Sequence, residues 1–352
     1  MSAVLSPSSS GVGIAGALAP AAVPASAPVS ARPWGLGLLA ALVWGATAAL
    51  TYHWPNAASG FTDWPYTAEA GQVFAAVAVL LLALALLGPY AGRPGAALLR
   101  RLRPAGAWIV AIGLGLGAWE LLTAKLGRLP TPFFAPPTAL AEVYLDDWRR
   151  LGESGWNSVR LLTYGVAWGA ATGFLVGVAI GWSRAIGYWV HPVIRFLGPV
   201  PASALLPLAF FAFPSSYAAA VFLIALATGF PVAVLTWSGV ASVNRNYYDV
   251  ARTLGASQAF LVLRVAIPAA LPQVFVGLFM GLGGAFSILV TAEMMGVKSG
   301  LGWYLTWAQG WAAYGNMYAA LILMAILCSG LITLLFLLRD RVLSWQKGTV
   351  KW

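Results

Sequence analysis

Charge is scarce in this chain. Only 9% of its residues are Asp, Glu, Lys or Arg, against about 25% in an average soluble domain. With 60% of residues hydrophobic, an integral membrane protein is expected and a soluble fold is excluded. Acidic residues are rarest, ten against twenty basic ones. In a membrane protein that surplus marks cytoplasmic loops facing anionic lipid rather than nucleic-acid binding. The single cysteine, Cys328, can form no intrachain disulfide. The two histidines, His53 and His191, lie far apart without metal-ligand spacing, so no metal site is expected; a surface or structural role suits His191. None of the four lysines follows a glycine, which excludes the glycine-lysine loop that cradles ATP phosphates. No Ser–His–Asp, Cys–His or paired-carboxylate arrangement is evident, so the chain is expected to be no enzyme.

What the chain has instead is long apolar runs. A helix of about 20 apolar residues spans about 30 Å of hydrocarbon. On that measure about eight transmembrane helices are expected, at roughly Trp34–Tyr52, Ala70–Tyr90, Ala105–Ala124, Val159–Trp182, Tyr188–Phe213, Tyr217–Val240, Gln273–Met295 and Met317–Leu338. The fold class is therefore all-α and polytopic. Residues 1–31 carry no charged side chain and lack the positive start and compact apolar core of a secretory signal. They read as a disordered cytoplasmic tail. Residues 32–104 form a two-helix membrane extension, 105–341 a six-helix domain and 342–352 a second cytoplasmic tail. The loop from His53 to Glu69 has no Lys or Arg, whereas the next connection holds Arg93, Arg100, Arg101 and Arg103. That contrast places the first loop outside and the second inside. Counting spans from there leaves both termini cytoplasmic.

Three details refine this reading. The segment from Lys125 to Asn157 is placed outside, with Thr138 capping a short amphipathic helix that runs through Trp148. The fourth span carries glycines at 165, 169, 173, 177 and 181, a spacing that lets a second helix backbone come close. The fifth is broken by Pro192, Pro199, Pro201 and Pro207. Interrupted helices persist at membrane depth only beside protein or a water-lined cavity, so Pro199, Pro201 and Pro207 are expected to border a transport path. Pro231 is expected to kink the sixth span. Glu120 and Glu293 are the only acids within the predicted spans, both near outer ends, and such a group should face protein or water. Glu293 could line the path, or pair with Lys298 or another subunit. Its expected role is gate or packing residue rather than ligand.

The stretch 242–272 does not belong in a bilayer. It reads SVNRNYYDVARTLGASQAFLVLRVAIPAALP and carries Arg245, Asp249, Arg252 and Arg264. Asn244 or Asn246 can cap a helix of about Tyr247–Leu254, and Gly255 can end it. Ser257 can cap a second helix, Gln258–Ala266, which Pro268 should limit. The element is a helix, a glycine turn and a helix at a membrane surface.

Asp249-Val250-Ala251, then three residues to Gly255, then nine to Val265-Ala266-Ile267-Pro268, resembles the "EAA" loop of bacterial ABC-importer permeases. Asp249 stands where that family has Glu, and Val250 where it has Ala. Leu129-Pro130-Thr131-Pro132, the proline-broken span, Thr291-Ala292-Glu293 and Gly300-Leu301-Gly302 look like its nitrate/sulfonate/taurine/bicarbonate branch. The likeness covers about Trp108 to Arg341.

The resemblance implies a type I importer permease core of six helices, with the first two spans as an addition. It implies an inner-membrane location, a second permease copy (a homodimer), a cytoplasmic ABC ATPase dimer and a periplasmic or lipid-anchored solute-binding protein. Cofactors are none on this chain; ATP and Mg belong to the ATPase. Tyr248, Asp249, Ala251, Arg252, Gly255 and Pro268 are the implied coupling residues. Pro199, Pro201, Pro207, Ser287, Thr291 and Glu293 are the translocation-path candidates. The implied cargo is a small solute, an anion such as nitrate, a sulfonate, taurine or bicarbonate. A secondary ion-coupled transporter, or a membrane scaffold without transport, would need neither an ATPase nor this loop.

Overall fold

The computed structural model describes residues 33–57, 64–129, 133–198 and 200–346. The expected tail 1–31, Pro130 to Pro132, Pro199, Lys347 and Lys351 lie outside them. The described residues contain helices and no strand. Seven helices are long and apolar enough to cross a membrane, or eight if a bent pair counts as one crossing.

The first group is α1 (Gly35–His53), α2 (Thr67–Leu87), the short α3 (Gly92–Leu102) and α4 (Gly106–Glu120), which ends in a π turn, Leu121–Lys125. Trp34 near the start of α1 packs with Ala85 near the end of α2, so the two run antiparallel. Gly106 faces Trp34, Gly113 faces Trp44 and Gly117 faces Thr47, so α1 and α4 run parallel. Trp44 donates to Ile109 O at 3.0 Å, and Thr47 to Gly113 O at 3.2 Å. α1 is thus hydrogen-bonded to α4 as well as packed on α2.

Beyond the short α5 (Pro137–Asp146), the second group centres on α6 (Trp148–Trp182) and α9 (Ser216–Ala241). The glycine stripe of α6 lies directly on α9: Gly165 meets Ile224, Gly173 meets the Gly229 backbone and Gly181 meets Val240. Equal steps along both helices make the pair parallel. A side chain at Gly173 would collide with the Gly229 carbonyl, which is why small residues recur there. Since α9 re-enters from the end where α6 begins, the chain between them must cross the bilayer. It does so as α7 (Arg184–Leu197) and, after a short 3₁₀ turn, α8 (Leu206–Ala212), bent by 87°. The proline-broken fifth crossing is therefore two helices rather than one span.

After α9 come α10 (Arg245–Thr253) and the one-turn α11 (Gln258–Phe260). A π segment, Leu261–Ala266, then leads into α12 (Ile267–Met295). The helix expected to stop at Pro268 does not stop: Gln258–Met295 is one apolar run of 38 residues, so the seventh crossing begins before Gln273. The physical reason is the π register. Ile267 N–H bonds back five residues to Val262 O, so Pro268 falls where the wide turn gives way to α geometry and its missing donor breaks no regular ladder. Pro231 likewise sits inside an unbroken α9. Gly277 against Val232 and Gly281 against Thr228 show α12 antiparallel to α9.

The third group, α5, α13 (Leu301–Gly310) and α14 (Tyr314–Val342), covers the opposite end. Three expectations fail there. Pro136 caps α5 without a side-chain bond and the helix ends at Asp146; Thr138 is buried with its hydroxyl unpartnered. Trp148 begins α6, which is 35 residues long rather than starting at Val159. The connection from Lys298 to Asn316, expected as a loop, contains α13. These crossings put α3, the Ser183-Arg184 turn, α10 and the end of α14 on one face of the molecule, and α5 and α13 on the other.

Candidate coupling and translocation site

The α10 helix is defined at both ends by its own sequence. Asn244 Oδ1 accepts from Asn246 N–H at 3.0 Å, so Asn244 is the cap and the helix starts at Arg245. At the other end Gly255 has φ +82°. Its N–H bonds to Arg252 O at 2.9 Å, and Ala256 N–H reaches Ala251 O at 3.0 Å. That pair of bonds is a Schellman closure, which needs a residue at ease in the left-handed region. Ser257 Oγ then accepts from Phe260 N–H at 3.3 Å, as expected.

The faces of α10 differ. Tyr248 turns inward: its ring packs edge-on to Trp182 at 5.8 Å and joins Val240, Ala266 and Ala270. Burial pushes its phenol pKa up, with Arg252 pulling the other way. Tyr247, Val250 and Leu254 turn outward, 66%, 61% and 83% exposed. This apolar stripe at i, i+3 and i+7 was legible as helical spacing, although none of the three was singled out. Asp249 and Arg252 are exposed and paired with each other at 3.4 Å, so the pair contributes little to stability. Ala251 supplies the carbonyl of the closing turn. Pro268 lies beyond the element, inside the long helix. A polar cleft of about 490 Å³ separates α10 from the span ends, lined by Trp182, Arg184, Arg245, Tyr248, Arg252 and Gln258.

The path candidates divide. Pro201 starts the 3₁₀ turn and Pro207 stands in the first turn of α8, where proline costs no helical bond. Behind them a cavity of about 300 Å³ is lined by Val200, Ser203, Phe230, Pro231 and Ser287. Ser287 is exposed, as are Val276, Met280, Gly283 and Met294 along the same side of α12. Thr291 bonds back to Ser287 O at 2.8 Å. This strip of α12 is uncovered by the rest of the chain.

Glu293 is elsewhere. It is 1% exposed, and both oxygens are engaged: Ser158 Oγ donates to Oε1 at 2.7 Å and Gly302 N–H to Oε2 at 2.8 Å. Ser158 Oγ also accepts from Leu301 N–H at 2.8 Å. The carboxylate thus satisfies donors at the start of α13, where a negative charge is favoured. It forms no ion pair with Lys298. Gly300, at φ +98°, leaves the space that the carboxylate fills.

Glu120 is fully buried, and neither of its oxygens has a hydrogen-bond partner among the described residues. Lys125, expected in an outer loop, is itself buried and donates to Thr51 O, Trp54 O and Asn56 Oδ1 at 2.7–2.8 Å. His191 packs against Trp237 at 4.3 Å. Among the described residues, no group of three or more His, Cys, Asp or Glu could hold a metal.

Residues 169–346 match the family model of the binding-protein-dependent transport system inner membrane component. The chain is 31% identical to a protein named "Probable ABC transporter permease protein" in Brucella abortus, over 70% of this chain and 98% of that one. It is 30% identical to a nitrate import permease protein of Synechococcus elongatus, over 70% and 89%. It is 31% identical to a bicarbonate transport system permease protein of the same species, over 54% and 67%. On these matches the chain belongs to the binding-protein-dependent transport system inner membrane component family, as an ABC importer permease of the branch that includes nitrate and bicarbonate permeases.

Proposed function

We propose that this permease forms the translocation path for a small anion and is driven by a separate cytoplasmic ATPase that docks on α10. The observation that carries the reading is the exposed Tyr247–Val250–Leu254 stripe on a helix whose inner face is fastened by Tyr248 to Trp182. A stripe that size on a surface helix calls for a partner, and a fastened helix passes displacement into the ends of α6 and α9 rather than absorbing it. ATP and Mg bind to the partner, and nucleotide state biases a two-state arrangement of the spans.

The path follows the uncovered side of α12, with Ser287 and Thr291, opposite the bend at Pro201 and Pro207. A second copy of this chain closes that side. A solute-binding protein delivers cargo to the face carrying α5 and α13, and α10 lies on the cytoplasmic face of the inner membrane, together with both termini. The arginine surplus on the α10 face supports that orientation. The names of the relatives support nitrate, bicarbonate or a chemically similar anion as cargo.

Detergent pull-down of the tagged chain from its native membrane, with mass spectrometry, tests the reading. Recovery of an ABC ATPase and a solute-binding protein is expected. Recovery of this chain alone across several mild detergents would overturn it in favour of an ion-coupled transporter.

A further inference from the structure

The helix α3 and the arginine after it form a concentration of positive charge that the chain itself leaves uncompensated. Leu99, 2% exposed, pins α3 against Trp34 and Ala85. Arg100 and Arg101 point away from that contact and are exposed. Arg103 is partly buried, and its Nε is enclosed without a hydrogen-bond partner. None of the three has an ion pair among the described residues.

Among the described residues, no carboxylate supplies the missing charge. No Asp or Glu occurs between Ala70 and Trp119. Glu69 and Glu120 stand at the far ends of α2 and α4, and helices of 21 and 15 residues put them about 20–30 Å away across the membrane. On the α3 face, Asp249 is paired with Arg252 and Asp340 with Arg339. The helix ends that flank the arginines in the chain are apolar and open: Leu87 at the end of α2, Leu98 within α3 and Trp108 in the first turn of α4 are 64%, 43% and 73% exposed. A ligand that fits both must carry a negative headgroup and a hydrocarbon body.

We propose that α3 and Arg103 form a binding site for the headgroup of an anionic phospholipid, with its acyl chains against Leu87, Leu98 and Trp108. Guanidinium groups suit this role, since their forked donors match phosphate oxygens. The site gives the N-terminal extension a lipid-sensing function beyond its packing role, because α3 joins α2 to the core helix α4.

The test uses the assembled transporter in phosphatidylcholine vesicles with and without phosphatidylglycerol, followed by extraction and native mass spectrometry. The expected result is selective retention of phosphatidylglycerol that excess inorganic phosphate does not displace. Retention should fall about fivefold for each arginine removed in R100Q and R101Q and fall less in R100K/R101K, which keep the charge and lose the forked donors. Equal retention of both lipids by the wild-type transporter would overturn the proposal without any variant having to fold. Displacement by inorganic phosphate would overturn it in favour of a free-anion site.

Discussion

The carboxylate of Glu293 on α12 receives the hydroxyl of Ser158 on α6, 2.7 Å away, and the two together cap the first turn of α13. A distant segment, α6, and the neighbouring ends of α12 and α13 meet on one buried charge. Replacing Glu293 with Ala would orphan the Gly302 N–H and the Ser158 hydroxyl, at about 1–3 kcal/mol for each buried group. Glu293→Gln, which retains one acceptor, should cost less. Thermal unfolding of the purified permease checks the ranking. A Gln variant with unchanged stability but altered cargo selectivity would instead make Glu293 a path residue.

Lys125 ties the end of α4 to the end of α1 through hydrogen bonds to Thr51 O, Trp54 O and Asn56 Oδ1. Lys125→Met leaves these buried acceptors unpaired and should cost about 1–3 kcal/mol. Protease sensitivity of the connection from Trp54 onward should rise with it. Wild-type stability in the Met variant would show the extension to be held by packing alone.

Gly255 sits at φ +82° with open space around it, so the cost of a side chain there is backbone strain rather than a clash. Gly255→Val should loosen the closing turn, for about 1–2 kcal/mol of local cost, and leave the protein inserted in the membrane. ATP hydrolysis by the assembled transporter should continue while transport falls. Transport at the wild-type rate would remove the turn from the coupling mechanism.

The outward stripe of α10 makes a sharper prediction than its charges. Leu254→Asp places a charge on a residue that is 83% exposed, so folding should be undisturbed. ATPase affinity should drop roughly tenfold or more, as for a central interface contact. Asp249→Lys breaks only an exposed pair and adds like charge next to Arg252, so it should weaken docking less. Co-purification yields of the two variants, side by side, decide the order.

On the opposite face, Tyr304 donates to Asp147 at 2.6 Å and accepts from Asn316 at 2.6 Å. Burial, then the Asp147 bond, pushes its phenol pKa well above the ordinary value. A raised folded pKa means this contribution is fully present below about pH 10, the unfolded value, and is lost as pH rises through the folded one. Tyr304→Phe should be less stable at neutral pH and lose less on going above pH 10. Parallel unfolding curves for both proteins across that range would contradict this.

Much of the molecule was legible in its residues because each feature is local. Apolar runs placed the crossings, since bilayer thickness sets helix length. The Gly255 turn followed from the one residue type that is relaxed at positive φ, and the α6 glycines announced a close helix contact. Each needs only a residue and its near neighbours.

Tertiary structure decided the rest. That Lys125 is buried, that Glu293 caps α13 and that Tyr248 faces in while Leu254 faces out depend on distant elements meeting in register: Lys125 bonds Thr51, 74 residues away, and Glu293 bonds Ser158, 135 away. A buried charge is tolerated only where donors from distant segments converge on it, and no local pattern encodes that convergence. The same holds for Pro268: its tolerance rests on a π turn, a backbone register set by packing rather than by the proline itself.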